Sequence, residues 1–167
     1  MSTDNFIKRA RRIVGFAVAA GFAVVVLLAL LAGSFPETRL RDLFATACHQ
    51  YPDRSHWLGS EPVGLCVRCL WFYVGLAIGH LGLGLTRAIP RHRLAYLAAS
   101  LAMAAGHWLL GWLTPAFDFV ALRAGTGLLA GGAVSAYTLP GLVELIFARD
   151  RKTQTRSTIH SHEPVRT

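Results

Sequence analysis

Four long runs of this chain are almost free of charge, and they leave few folds open. Ile13–Pro36, Val63–Thr86, Leu94–Ala116 and Ala124–Val143 are each long enough to cross a bilayer, which takes about 20 apolar residues as a helix. Inside lipid every backbone N–H and C=O must be paired within the protein, so only helices or closed barrels span it. The runs show no period-two alternation of the barrel kind. The expected fold is an all-α integral membrane protein, a four-helix transmembrane bundle with helices at about 13–34, 63–86, 94–113 and 121–147.

The formal charge of +8 would suit a nucleic-acid binder if it were clustered on one surface, but it flanks the apolar runs instead. Lys8, Arg9, Arg11 and Arg12 precede the first run, Arg87, Arg91 and Arg93 separate the second from the third, and Arg149, Arg151, Lys152, Arg156 and Arg166 follow the fourth. The loop after the first run balances Arg39, Arg41 and Arg54 with Glu37, Asp42, Asp53 and Glu61. Lys and Arg mark the cytoplasmic side. Both termini are therefore expected in the cytoplasm, with the 35–62 loop outside the inner (plasma) membrane. The basic excess reports topology, and no nucleic-acid partner is expected.

In chain order, residues 1–12 read as a basic cytoplasmic leader. The first run could alternatively be a cleaved signal peptide, since Leu31-Ala32-Gly33-Ser34 offers small residues at its end. Its apolar core is longer than the roughly 7–15 residues of such signals, which favours a retained helix. In the outer loop, bounded by Pro36 and by Gly59-Ser60-Glu61-Pro62, Leu40, Leu43 and Phe44 recur at helical spacing. A short amphipathic helix over Thr38–Ala47 is expected there, delivering Cys48 and His49 to the mouth of the bundle. Pro90 should break the hairpin Thr86–Arg93, and a short outer loop around Thr114–Phe119 holds Pro115 and Asp118. Pro140 should kink the fourth helix, and the polar tail 149–167 reads as disordered,.

All three cysteines lie in or beside that outer loop: Cys48, and then Cys66-Val67-Arg68-Cys69 at the head of the second run. On a helix starting near Val63, Cys66, Cys69, Tyr73 and His80 share one stripe and Gly75, Gly79 and Gly82 the opposite one,. The Gly75-x-x-x-Gly79 pair suits close helix packing. The helix dipole and Arg68 should both favour thiolate at the pair. Thiolate is the form that metal binding and disulfide exchange both need. Candidate nitrogen donors are His49, His56 and His107, the last about 9 Å below the outer surface at 1.5 Å per residue. Three sulfurs and one imidazole make a closed tetrahedral zinc set. The alternatives are a redox pair and three small structural residues, and the odd cysteine count weighs against disulfides alone. His80, near the cytoplasmic end, reads as a bond to a neighbouring helix. Arg68 and Arg123 at the outer interface can snorkel, or together hold an anionic headgroup.

These residues also carry a resemblance. Cys48-His49-Gln50, Arg54-Ser55, Cys66-Val67-Arg68-Cys69 and Arg123-Ala124-Gly125-Thr126-Gly127 resemble the signature of a family of small prokaryotic membrane proteins known only as a domain of unknown function. The likeness implies membership and no activity. The chain is also similar, more weakly, to the bacterial membrane oxidases that recharge periplasmic disulfide-forming enzymes. Those are four-helix proteins with both ends cytoplasmic and a Cys-x-x-Cys at the outer end of the second helix, and they pass electrons to quinone. That likeness would make Cys66 and Cys69 the redox pair, with Cys48 relaying electrons from a periplasmic or membrane partner. The second cysteine pair of that family has no counterpart in Thr114–Phe119. The expected function is thus a membrane protein with an extracytoplasmic zinc site of Cys48, Cys66, Cys69 and either His107 or His49. A quinone-linked thiol oxidoreductase is the first alternative, and a lipid- or partner-binding subunit the second.

Overall fold

A computed structural model describes residues 3–35, 39–85, 92–113 and 119–160. Among the described residues, five α-helices and one hairpin follow in the order α1 (Thr3–Ser34), α2 (Leu40–Phe44), β1 (Ser55–Leu58), β2 (Glu61–Cys66), α3 (Val67–Leu85), α4 (Arg93–Leu113) and α5 (Val120–His160). Among the described residues, four segments are long and apolar enough to cross a membrane: Lys8–Ser34, Val67–Leu85, Leu94–Gly111 and Val120–Ile146. The expected turns at 86–91 and 114–118, and Pro36, lie outside the described residues.

The burial pattern is that of a chain solvated by lipid. Large apolar side chains such as Ile13, Leu27, Ile78, Leu101, Leu109 and Leu122 face outward, while Ala29, Ala133, Ser135, Thr126, Ser100, His80 and His107 are buried. Lipid already satisfies leucine, so helices associate through small residues and polar links instead. The chain is an integral membrane protein of four spanning helices.

α3 lies between α1 and α5, and α4 packs on α5. The contact of α3 with α5 is backbone on backbone. A Cβ on Gly75 would strike the Leu128 carbonyl, one on Gly127 the Arg68 carbonyl, and one on Gly131 the Phe72 carbonyl. Further along, the Ser135 hydroxyl donates to the Leu76 carbonyl (3.1 Å), and His80 Nε2 meets the Thr138 hydroxyl (3.1 Å). His80 also bonds the Leu76 carbonyl through Nδ1, so it ties α3 to the neighbouring helix α5, as its position in the sequence suggests. The opposite side of α3 meets α1, where Phe22 packs against Tyr73 and His80. Close approaches of Gly15 to Gly84 and of Gly33 to Val63 hold α1 to the rest along most of its length.

The boundaries differ from the sequence expectation in three places. α3 begins at Val67 rather than near Val63, because Glu61–Cys66 is the second strand of a hairpin. Val63, Gly64 and Leu65 are buried in succession, so the strand shows no alternation and reads as part of the apolar run behind it. The two-residue loop Gly59-Ser60 closes the hairpin with Gly59 at φ +66°, a backbone state that favours glycine. The amphipathic helix is also shorter than Thr38–Ala47: Leu40–Phe44 is helical, Ala45–Ala47 turns, and Phe44 alone of these is buried. Finally, α1 is helical from Thr3 and α5 runs to His160. No glycine or proline follows Gly141 until Pro164, and extending a helix is far easier than starting one. The disordered tail expected from 149 is therefore helix as far as His160, and residues 161–167 lie outside the described residues.

Candidate metal centre

The hairpin places the cysteines. Gly64 lies against Ala32 and Phe44, which pins β2 onto the end of α1 and over α2. Cys48, Leu65 and Leu70 pack there with Ala29 and Phe44, flanked by Cys66, Cys69 and Tyr73. Cys66 closes β2 and Cys69 sits in the first turn of α3, while Cys48 arrives from the loop after α2. The three sulfur atoms lie within 4.8 Å of one another, and all three cysteines are free of disulfides. Tetrahedral zinc with bonds near 2.3 Å holds its sulfurs about 3.8 Å apart, so a small contraction suffices. Three thiol donors this close can hold a metal ion.

Backbone amides support the sulfur of Cys48. The N–H of Cys66 donates to it at 3.3 Å and that of Gln50 at 3.5 Å. Hydrogen bonds from the Cys66 and Cys69 thiols, with these amides, hold Cys48 well below the usual thiol range. The Cys66 thiol, committed as donor to Cys48, is pushed up. Cys48 is thus the sulfur on which the hydrogen bonds of the group converge, from two backbone amides and from the neighbouring thiols.

The histidines divide. Among the described residues, no histidine contributes a nitrogen to the group of atoms within 4.8 Å of one another. His107 Nδ1 lies 2.8 Å from an Arg68 nitrogen, and His56 Nε2 accepts the Trp71 indole N–H at 3.2 Å. His49, next to Cys48 in the chain, stacks on Tyr51 with ring centroids 5.9 Å apart. His49 and His107 do line one cavity of about 460 Å³ with the three cysteines, together with Arg68 and Arg123.

Sequence reasoning passed over Gln50. It holds a left-handed backbone (φ +53°), which costs a side-chain-bearing residue about 1–2 kcal/mol. Its side-chain amide donates to the Arg41 carbonyl at 2.6 Å, fixing the turn that aims its own N–H at Cys48. Ser55 acts likewise, its hydroxyl donating to the Tyr51 carbonyl at 2.9 Å. The signal was present, since both residues stand in the Cys-His-Gln and Arg-Ser motifs. The Arg-x-x-x-Gly motif also gains a physical reason. Gly127 admits the backbone of α3 at Arg68, and Arg123, one turn away, joins Arg68 at the cavity wall.

Comparison with known proteins agrees with this architecture. The chain is 26% identical over 110 residues to the uncharacterized protein MJ1492 of Methanocaldococcus jannaschii, covering 64% of this chain and 70% of that one. No solved structure matches it. The family described as "Predicted membrane protein (DUF2085)" matches residues 48–137, from the first cysteine to the middle of α5. With more than half of its 167 residues matched, the chain belongs to that family of membrane proteins.

Proposed function

We propose that this protein is an inner-membrane metal-binding protein whose cysteines hold zinc on the extracytoplasmic side. The mutual approach of Cys48, Cys66 and Cys69 from three separate elements carries the reading. Two of the sulfurs need only the Cys-x-x-Cys turn to meet. The third is brought in by a strained, hydrogen-bonded loop, an arrangement that serves a ligand better than a filler. His49 is favoured as the fourth donor because it shares that loop, whereas Nδ1 of His107 is engaged with Arg68. Detergent-purified protein should contain about one zinc per chain by elemental analysis, the stoichiometry of a single tetrahedral site. Serine at any one of the three cysteines should remove most of it. Full zinc in all three variants would refute the site.

A thiol oxidoreductase using quinone is the second reading. It draws support from the same free thiols and from the hydrogen bonds that lower Cys48 towards the thiolate form, the form that attacks disulfides,.

The charge distribution supports the sidedness, with both termini cytoplasmic. In a background lacking the native cysteines, Asp53→Cys should label in intact cells and Thr155→Cys only after permeabilisation. Labelling of position 155 in intact cells would reverse the compartment of the site.

A further inference from the structure

The cavity beside the thiols is basic. Arg54, Arg68 and Arg123 line it with His49 and His107, and no described carboxylate does. Arg54 is half engaged elsewhere, resting over the Tyr51 ring and 3.6 Å from Asp53. Arg68 is better placed, at the head of α3 and facing α4 through His107. A guanidinium keeps its protons, so in the 2.8 Å contact Arg68 donates and His107 Nδ1 accepts,. The neutral imidazole must then carry its own proton on Nε2. That N–H is buried without a partner, and so is the Nε–H of Arg68. A buried donor left unmet forfeits the hydrogen bond it had in water and gains none in return. Two of them, on contacting residues of a cavity lined by several cations and, among the described residues, by no acid, call for an acceptor carrying negative charge. Charge-assisted bonds to an oxyanion are the strongest such contacts, and the guanidinium fork matches them.

We propose that the cavity binds a phosphate-type oxyanion, held by Arg68, Arg123 and the Nε2–H of His107 beside the three thiols. His107 is in this arrangement an anion donor. Free phosphate and the phosphodiester of an anionic lipid headgroup share this chemistry. The proposal stands apart from the metal reading, because none of its three residues is a thiol ligand.

Two probes separate the sources: inorganic phosphate, and short-chain phosphatidylglycerol set against phosphatidylcholine of the same length. Binding to the full-length protein in phosphate-free detergent is measured by calorimetry, before and after a chelator strips any metal. Saturable binding of inorganic phosphate, or of phosphatidylglycerol in preference to phosphatidylcholine, is expected with and without the chelator. It should weaken tenfold or more in Arg68→Gln and in Arg123→Gln, and severalfold in His107→Phe. Arg12→Gln, at the opposite end of the bundle, should leave it unchanged. Variants are compared at matched helix content and monodispersity. The wild-type measurement stands without them: failure of both probes to bind overturns the proposal. So does binding that survives in both arginine variants, or that vanishes on chelation.

Discussion

Replacing Gly131 with alanine is expected to pry α5 from α3, while the same change one residue on leaves the protein intact. A Cβ at 131 would strike the Phe72 carbonyl and come within 2.8 Å of the Leu76 nitrogen, whereas one at Gly132 meets nothing within 4 Å. The obstacle at 131 is backbone, which cannot rotate aside as a side chain can, so the helices themselves must move apart. Overpacking of a core costs about 1–3 kcal/mol and occasionally more. The upper end applies here, because separation also stretches the Ser135–Leu76 and His80–Thr138 links. Thermal unfolding followed by size-exclusion should show a clear fall in the folded fraction for Gly131→Ala. Gly132→Ala should be neutral or slightly stabilising, as helix propensity favours alanine over glycine. Equal behaviour of the two variants would mean that the helices cross elsewhere.

The second large effect concerns the thiols. Cysteines held by zinc are protected from oxidation and alkylation, so the native protein should take up little maleimide. A chelator should then expose all three thiols together, since loss of the metal releases every ligand at once. An oxidase predicts the reverse. Acid-trapped protein would then carry a Cys66–Cys69 disulfide, its redox state would respond to added quinone, and Cys48 would be caught as a mixed disulfide with a partner when Cys66 or Cys69 is mutated. With three cysteines in the chain, such a relay has no second pair to receive electrons, which favours three chelator-unmasked thiols. A quinone-sensitive disulfide in native protein would decide for the oxidase.

What could be read from residue order alone was whatever depends on length, period and charge. The four spans follow from the energetics of burying backbone in lipid, and four helices long and apolar enough to cross a membrane stand at those places, though α1 starts earlier, α3 later, and α5 runs further than the apolar runs alone imply. Glycines spaced four apart already marked one side of α3 for close packing, since on a helix such positions must share a face. The Cys-x-x-Cys pair was visible for the same reason. Beyond these local periodicities the tertiary structure decided. Nothing in Glu61–Cys66 announces a strand, because a strand buried on both faces has no alternation, and only its pairing with Ser55–Leu58 reveals it. The approach of Cys48 to two residues 18 and 21 positions later depends on that hairpin docking against α1 and on the turn held by Gln50. The partner of His107 was likewise hidden, for Arg68 reaches it across 39 residues of sequence. Such contacts are set by how helices of different lengths stack, a collective result of packing that no single stretch of chain encodes.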